Sequence, residues 1–359
     1  MHSKQAKIGI SGAGNIGNAL IRVLIERGLI HLLKHINDPF IDAEMLAGLI
    51  FYHEYYQTPT GHTVKSNGPN ELIIDGHTIT CSQEFDPDKV DWSDCVVAEC
   101  SGVYVGSHAT DDPCTCAGHI AGGARYVLVS APTKGSIAVP VMNGVSDFSV
   151  VLDPAKQVYS GLSCTTTSIS FPLSIVAEFA EVEWIDLTTI HAPTSTDSTV
   201  DRVGKNRKTK AATLNRGIMA NAIFGATGAA GAVALAVPSL KGKLGGEAVR
   251  CSGMDTGSES VLKITFTEGI DMEGLQAALL EGCSANKFFG CMPAIGGVKP
   301  TLKQVRKFPF GGAYVPHTFS HGGNDKHASF HTFYDNVFGY TTNFSHTLEA
   351  LTHLGVKAA

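Results

Sequence analysis

The chain has 359 residues, 43% of them hydrophobic, 17% charged and 39 of them glycine, with a formal net charge of -6. That length and apolar content suit about two domains with full cores, the charge offers no overall attraction to nucleic acid, and no run approaches the roughly 18 apolar residues of a membrane span. Nine cysteines, odd in number and irregularly spaced, and a polar start, MHSKQAK, without an apolar signal segment point to a reducing, cytosolic compartment.

In chain order, KIGIS reads as a buried strand, NALIRVLIERG as an amphipathic helix closed by Gly28, and LLKHIND as a second strand with a polar end. DCVVAECSG and ARYVLVSAP are further short β-rich runs with a helical stretch between them. Strands alternating with helices predict a mostly parallel sheet, hence an α/β first domain. From about residue 151 longer strand-like segments, EWIDLTTIHAP and SVLKITFTEG, are divided by the Ala/Gly-rich helix TGAAGAVALAVPSL. This predicts a second, α+β domain with a mixed sheet and helices on one face.

Between the first strand and first helix lies GAGNIG, with Gly12, Gly14 and Gly17. Glycines there tighten the turn and let a pyrophosphate approach the backbone N–H groups at a helix N-terminus. Asp38 follows at the end of the second strand, where a carboxylate accepts hydrogen bonds from both adenine-ribose hydroxyls and repels a 2′-phosphate. The pattern predicts a dinucleotide site that takes NAD over NADP. Cys164, in SGLSCTTTSIS, falls at a strand-to-helix switch, where a helix start lowers a thiol pKa and favours thiolate at neutral pH. His191, closing the strand-like DLTTIHAP, is the natural base for it; by themselves the two residues also fit a small core side chain and a structural histidine.

KIGISGAGNIG, INDPFID, SAPTKG, SCTTT, TTIHAPT, TGAAGAVALAVPSLKGKLGGEAVR and YDNVFGY occur in the order and spacing of the phosphorylating glyceraldehyde-3-phosphate dehydrogenases, and the chain resembles that family. The resemblance implies a Rossmann-type NAD-binding domain over 1–163, completed by a C-terminal helix at 337–359, and a catalytic domain over 164–336, assembled as a homotetramer. It implies Cys164 as nucleophile and His191 as base. It implies cofactor contacts at Gly12, Gly14, Asn15, Ile16, Gly17, Asp38, Ser101, Ser130, Asn336 and Tyr340, with Asn336 on the nicotinamide carboxamide. Thr194, Thr196 and Arg250 would hold the substrate phosphate, and Ser163, Thr165, Thr227 and Gly228 the inorganic phosphate. The reaction implied is oxidation of glyceraldehyde 3-phosphate through a cysteine thioester to 1,3-bisphosphoglycerate.

The departures from the family set out the alternatives. Thr167 and Ser168 stand where the family has Asn and a second Cys, so no vicinal disulfide forms there. The loop STVDRVGKNRKTKAATLNRG is longer than the family's, and Arg216 either replaces a phosphate-contacting arginine or leaves that contact missing; its basic run KNRKTK reads as a solvated face. From 283 to 334 little of the pattern survives, and the strands before YDN are expected to be shortened or replaced. His317, His321, His327 and His331 form two H-x3-H pairs, but the surrounding Gly-Gly and Pro content argues against one helix, and CTC at 114–116 lacks a zinc spacing, so no metal is expected. These features leave room for a paralogue that acts on another phosphorylated or phosphonate-like aldehyde, such as erythrose 4-phosphate, or that hydrolyses its thioester. A catalytically lapsed NAD-binding regulatory protein is the alternative from another class; intact Cys164, His191 and Arg250 argue against it.

Overall fold

Parallel strands buried on both faces need unbroken apolar runs, and the first strand supplies one, with Ile8 and Ile10 fully buried. The computed structural model describes residues 4–53, 55–57, 59–105, 116–133, 138–194, 197–205, 212–219, 221–254 and 256–356. These fall into two units, Met1–Ser163 with Thr341–Ala359, and Cys164–Tyr340.

The first unit is built on nine strands: β1 (Lys7–Ser11), β2 (Leu33–Asn37), β3 (Val64–Ser66), β4 (Glu71–Ile74), β5 (His77–Ser82), β6 (Cys95–Glu99), β7 (Tyr126–Val129), β8 (Val139–Pro140) and β9 (Val158–Ser160). Their order in the sheet is β3-β4-β5-β2-β1-β6-β7-β9-β8. All neighbours are parallel except β3 with β4 and β4 with β5. The antiparallel β3-β4-β5 edge carries no alternating helix, and the sequence reading did not single it out. Helices α1 (Asn15–Glu26), α2 (Ala43–Phe51), α3 (Ala117–Ala121) and α4 (Phe148–Val151) complete the connections. After β2 the chain moves to one side of β1 and later returns to β6 on the other. The crevice outside the carboxyl ends of β1 and β6 is therefore a topological switch point, where open α/β sheets bind ligands.

The second unit begins with α5 (Cys164–Phe179), which starts at the cysteine itself. Its strands are β10 (Val182–His191), β11 (Arg202–Lys205), β12 (Ala212–Asn215), β13 (Ala222–Ala226), β14 (Leu244–Cys251), β15 (Ser258–Phe266), β16 (Gly290–Cys291), β17 (Ala313–Ser320) and β18 (His327–Tyr334). Seven form a mixed sheet in the order β13-β14-β10-β15-β18-β17-β16, while β11 and β12 pair only with each other. On β15 the residues alternate: Ser258, Ser260, Leu262, Ile264 and Phe266 are buried and Lys263 is exposed. One face of the sheet is therefore core, and α5 packs there with α6 (Ala229–Ala236) and α7 (Met272–Ala285). The expectation of shortened strands before YDN is corrected: β17 and β18 each run eight residues and pair antiparallel up to Ala313↔Phe333. Gly322 and Gly323, both with positive φ, make the turn between them, so the glycines that broke the helical pattern close a hairpin. The last helix, α8 (Phe338–His353), returns the chain to the first unit from Thr341 onward.

On β18, Thr332 is fully buried and its hydroxyl has no hydrogen-bond partner among the described residues. A buried unsatisfied hydroxyl costs about 1–3 kcal/mol, and valine has nearly the same shape. Thr332→Val is expected to raise the midpoint of thermal unfolding by about 2–4 °C per kcal/mol recovered; an unchanged or lower midpoint would show that the hydroxyl is satisfied.

Candidate active site

The position of Cys164 follows from a tight turn. After β9, Ser160 Oγ donates to Ala131 O at 2.8 Å and accepts from Leu162 N at 3.2 Å. Leu162 then takes φ of +57°, a left-handed conformation that costs a bulky L-residue about 1–2 kcal/mol. Helix α5 starts two residues later, which puts Cys164 in its first turn. Cys164 Sγ lies 3.4 Å from His191 Nε2. On the other side of the ring, His191 Nδ1 is 2.6 Å from Ala192 O. A carbonyl only accepts, so Nδ1 carries the hydrogen and the Nε2 lone pair faces the thiol.

Arg250 completes the group. Strands β10 and β14 are parallel, with His191 directly paired to Arg250 at their carboxyl ends, so both side chains leave the same face of the sheet. The guanidinium approaches Ala192 O at 3.5 Å and has no carboxylate partner among the described residues. Burial first and the Arg250 charge second bring the His191 pKa down to about 4, so the imidazole is neutral at physiological pH. Burial also raises the Cys164 thiol above its ordinary value, against the pull of Arg250 and of hydrogen bonds at Thr165. This corrects the expectation of a ready thiolate: desolvation of the buried sulfur outweighs the helix start. Burial thus favours the thiol and the neutral imidazole at this pair.

Asn336, just beyond β18, is nearly buried. Its Oδ1 accepts from Gly257 N at 3.1 Å and from Ser258 Oγ at 3.4 Å. Ser258 Oγ in turn accepts from Ala192 N at 3.1 Å, tying Asn336 to the backbone beside His191. With Oδ1 occupied, the amide NH2 remains to donate to a ligand carbonyl.

In the first unit, the glycines of GAGNIG have separate reasons. Gly12 has φ of +91°, and a Cβ there would meet the Ser101 backbone at 2.6 Å. A Cβ on Gly17 would lie 2.0 Å from Gly12 O. Both are required by the chain's own packing. Gly14 is not: a Cβ on it would meet nothing within 4 Å. It caps α1 without a side-chain hydrogen bond, and the first N–H groups of a helix, here those of Asn15, Ile16 and Gly17, have no carbonyl partner within it. Asp38 Oδ2 accepts from Ala13 N at 2.8 Å and Oδ1 from Phe40 N at 2.9 Å, which fixes the carboxylate beside this loop.

Two family models match this chain: the glyceraldehyde 3-phosphate dehydrogenase NAD-binding domain over residues 6–107 and the C-terminal domain of the same enzyme over residues 163–294. The chain belongs to the glyceraldehyde-3-phosphate dehydrogenase family. It is 33% identical to glyceraldehyde-3-phosphate dehydrogenase 2 of Schizosaccharomyces pombe over 276 residues, 76% of this chain and 77% of that one. It is 35% identical to the cytosolic enzyme of Chlamydomonas reinhardtii over 286 residues, 78% of each chain. It is 31% identical to the chloroplastic GAPCP1 of Arabidopsis thaliana over 368 residues, 99% of this chain and 80% of that one.

This family's first domain binds NAD, and the residues present fit it: an open helix start, a glycine whose missing Cβ leaves room for a pyrophosphate, and a fixed carboxylate on the next strand. Asp38→Ala is expected to weaken NAD binding about 10- to 100-fold, the worth of one charge-assisted hydrogen bond of about 1.5–3 kcal/mol, and to narrow the preference over NADP. Equilibrium titration with both cofactors checks it. A wild-type preference for NADP would remove Asp38 from this role.

Other expected contacts are placed unevenly. Ser101 donates its N–H to Glu99 Oε1 at 2.8 Å, and its hydroxyl to the same oxygen. Ser130 N bonds Glu99 O at 3.0 Å, and Tyr340 is buried on α8. Ser163 is half-buried directly before Cys164. Thr165, expected on inorganic phosphate, instead turns its hydroxyl to the Tyr334 hydroxyl at 2.9 Å. Thr194 bonds Asp197 Oδ2 through Oγ1 at 2.9 Å, and Arg216 pairs with Asp201 at 3.1 Å on the surface. Thr227 Oγ1 accepts from Ala229 N at 3.2 Å, while Gly228 opens the start of α6. Thr196, Asp255 and most of KNRKTK lie outside the described residues.

The histidines of the divergent segment sit on and around the β17–β18 hairpin, with His331 Nδ1 2.5 Å from Glu259 Oε1. Among the described residues no three His, Cys, Asp or Glu side chains are grouped to hold a metal ion, and no helix is long and apolar enough to cross a membrane. The eight described cysteines are free. Sequence reasoning missed two supports. Fully buried Glu99 and His119 stand together, His119 Nε2 being 3.0 Å from Ser11 Oγ, under the Ser101 loop. Tyr334 and Ser258 stand behind the Cys164–His191 pair; only the Y of YDNVFGY marked the first of these.

Proposed function

We propose that this protein oxidises glyceraldehyde 3-phosphate with NAD and phosphorylates the product to 1,3-bisphosphoglycerate. The observation that carries the reading is one group of three side chains: Cys164 and His191 in hydrogen-bond contact, with Arg250, which has no carboxylate partner among the described residues, beside them. His191 Nε2 takes the thiol proton as Cys164 sulfur adds to the aldehyde carbon, and returns it to the carbonyl oxygen to complete a hemithioacetal. His191 then removes that hydroxyl proton while hydride leaves carbon, which raises the carbon to a thioester. NAD, when bound, would supply the hydride acceptor, and the GAGNIG helix start and Asp38 are the residues of the first unit that would hold it. Phosphate attacks the thioester carbonyl, the C–S bond breaks, and the sulfur recovers its proton from His191. Arg250 holds the substrate's phosphate dianion and biases the sulfur toward thiolate.

An aldehyde panel assayed for NADH formation with and without inorganic phosphate tests the reading. Turnover that requires phosphate and favours glyceraldehyde 3-phosphate over glyceraldehyde supports it. The commitment of Thr165, Thr194 and Arg216 to protein partners favours one other outcome, a paralogue with a different phosphorylated aldehyde or with water resolving the thioester, and the same assay separates the two. We also propose a cytosolic homotetramer. Exposed Phe224 on β13 and Leu235 on α6, apolar side chains that assembly would cover, support it. Light scattering at four times the 37.9 kDa chain mass is the expected result.

A further inference from the structure

We infer that Tyr334 is the positioning residue that holds the first turn of α5 and the carboxyl end of β10 at the separation the Cys164–His191 pair needs. The inference rests on the proposed thiol–imidazole chemistry. Cys164 and His191 belong to two different elements, and their 3.4 Å separation is a tertiary distance. Tyr334 ends β18, and the sheet order places β15 between β18 and β10. Its side chain nevertheless reaches both halves of the pair. The fully buried phenol oxygen is 2.9 Å from Thr165 Oγ1, on the residue after the nucleophile, and 2.8 Å from Thr189 Oγ1, two residues before the base on β10. Its ring meets the His191 imidazole edge to face, with centroids 5.9 Å apart at 76°.

One side chain thus sets three things: where α5 begins over the sheet, where β10 ends, and the plane of the imidazole. Rotation about the Cys164–His191 line is already limited by the Ala192 carbonyl on Nδ1; the Tyr334 ring closes the other degree of freedom. Thr165 and Thr189 are both buried, so neither hydroxyl can exchange the phenol for bulk water without a shift of backbone. The same bridge explains why Thr165 does not turn its hydroxyl outward.

Tyr334→Phe keeps the ring against His191 and deletes only the bridge. The expected result is a kcat lower by about 10- to 100-fold, the scale of an approximately 1 Å misplacement of catalytic groups, with the aldehyde KM within about twofold because Arg250 is untouched. Iodoacetamide labelling of Cys164 should slow about tenfold at neutral pH, and its pH midpoint should rise, since the imidazole no longer accepts the thiol proton in line. Thr332→Val, two residues earlier on β18 and with a hydroxyl unpartnered among the described residues, is the control and should leave both readouts unchanged. Thr189→Val serves if Tyr334→Phe does not fold, and the two changes together should be no worse than Tyr334→Phe alone. A Tyr334→Phe enzyme with wild-type kcat and a wild-type labelling profile, whatever its thermal stability, overturns the inference. Wild-type protein that oxidises no aldehyde defeats the proposed function instead, while the labelling arm still decides the role of Tyr334.

Discussion

His191→Asn is expected to slow NADH formation about 100- to 10,000-fold, the usual worth of a positioned general base, while NAD binding stays unchanged. Burial favours the protonated thiol, and an asparagine amide offers no basic nitrogen in place of Nε2 to accept its proton. The same base is needed again at hydride transfer. Because His191 stays neutral down to about pH 4, the wild-type acylation rate should show no acid limb at the ordinary histidine pKa of 6.5; its fall should begin well below. Pre-steady-state NADH bursts across pH 4–8 measure both points. Stability follows the same pKa with a definite sign. Burial lowers the folded value, so between 6.5 and about 4 the unfolded chain binds the proton first. The contribution of neutral His191 is therefore complete above 6.5 and is lost as pH falls through that window. The variant should unfold with a flatter pH dependence there. Retention of wild-type burst rates in His191→Asn would remove the base from the mechanism.

Arg250→Ala should lower kcat/KM for glyceraldehyde 3-phosphate by a factor of about 100 to 5,000, from the loss of roughly 3–5 kcal/mol at about 1.4 kcal/mol per decade. Two charge-assisted bonds to a dianion, each about 1.5–3 kcal/mol, account for that range. The structure adds a second consequence. Arg250 pulls the Cys164 pKa down and pushes the His191 pKa down, so its removal leaves the thiol harder to ionise. Unphosphorylated glyceraldehyde should therefore also slow, but far less, and the ratio of the two losses separates phosphate recognition from thiol activation. Equal losses on both aldehydes would confine Arg250 to the electrostatics of the sulfur. No loss on either would make it a surface charge, in which case only thermal stability changes. Glu247 lies three residues earlier on the same strand, and no ion pair joins it to Arg250 among the described residues.

Several elements could be read in one dimension because their physics is local. KIGIS, GAGNIG and the helix after them depend on side-chain period, glycine geometry and helix-start chemistry within a dozen residues. Cys164 at the start of α5 and the TGAAGAVALAVPSL helix, ended by Pro238, are legible for the same reason. The hairpin of β17 and β18 was not. Its Gly-Gly turn and scattered histidines lack a clean alternation; β18 is a strand through its pairing with β15, more than sixty positions earlier in the chain, and β17 through its pairing with β18 and β16.

Within the candidate site the division is sharper. The sequence by itself determined which side chains are present at strand ends and helix starts: Cys164, His191, Arg250, Asp38 and the three glycines, because motif spacing and local conformation are written along the chain. Only the tertiary structure decided what those side chains do to one another. The pairing of β10 with β14 sets Arg250 beside His191; Tyr334 takes the Thr165 hydroxyl away from any phosphate; Asp197 and Asp201 occupy Thr194 and Arg216. It also reversed the expected direction of the Cys164 pKa. A helix start is a local feature that favours thiolate, but desolvation depends on everything packed around the sulfur, and in this fold burial is the larger effect.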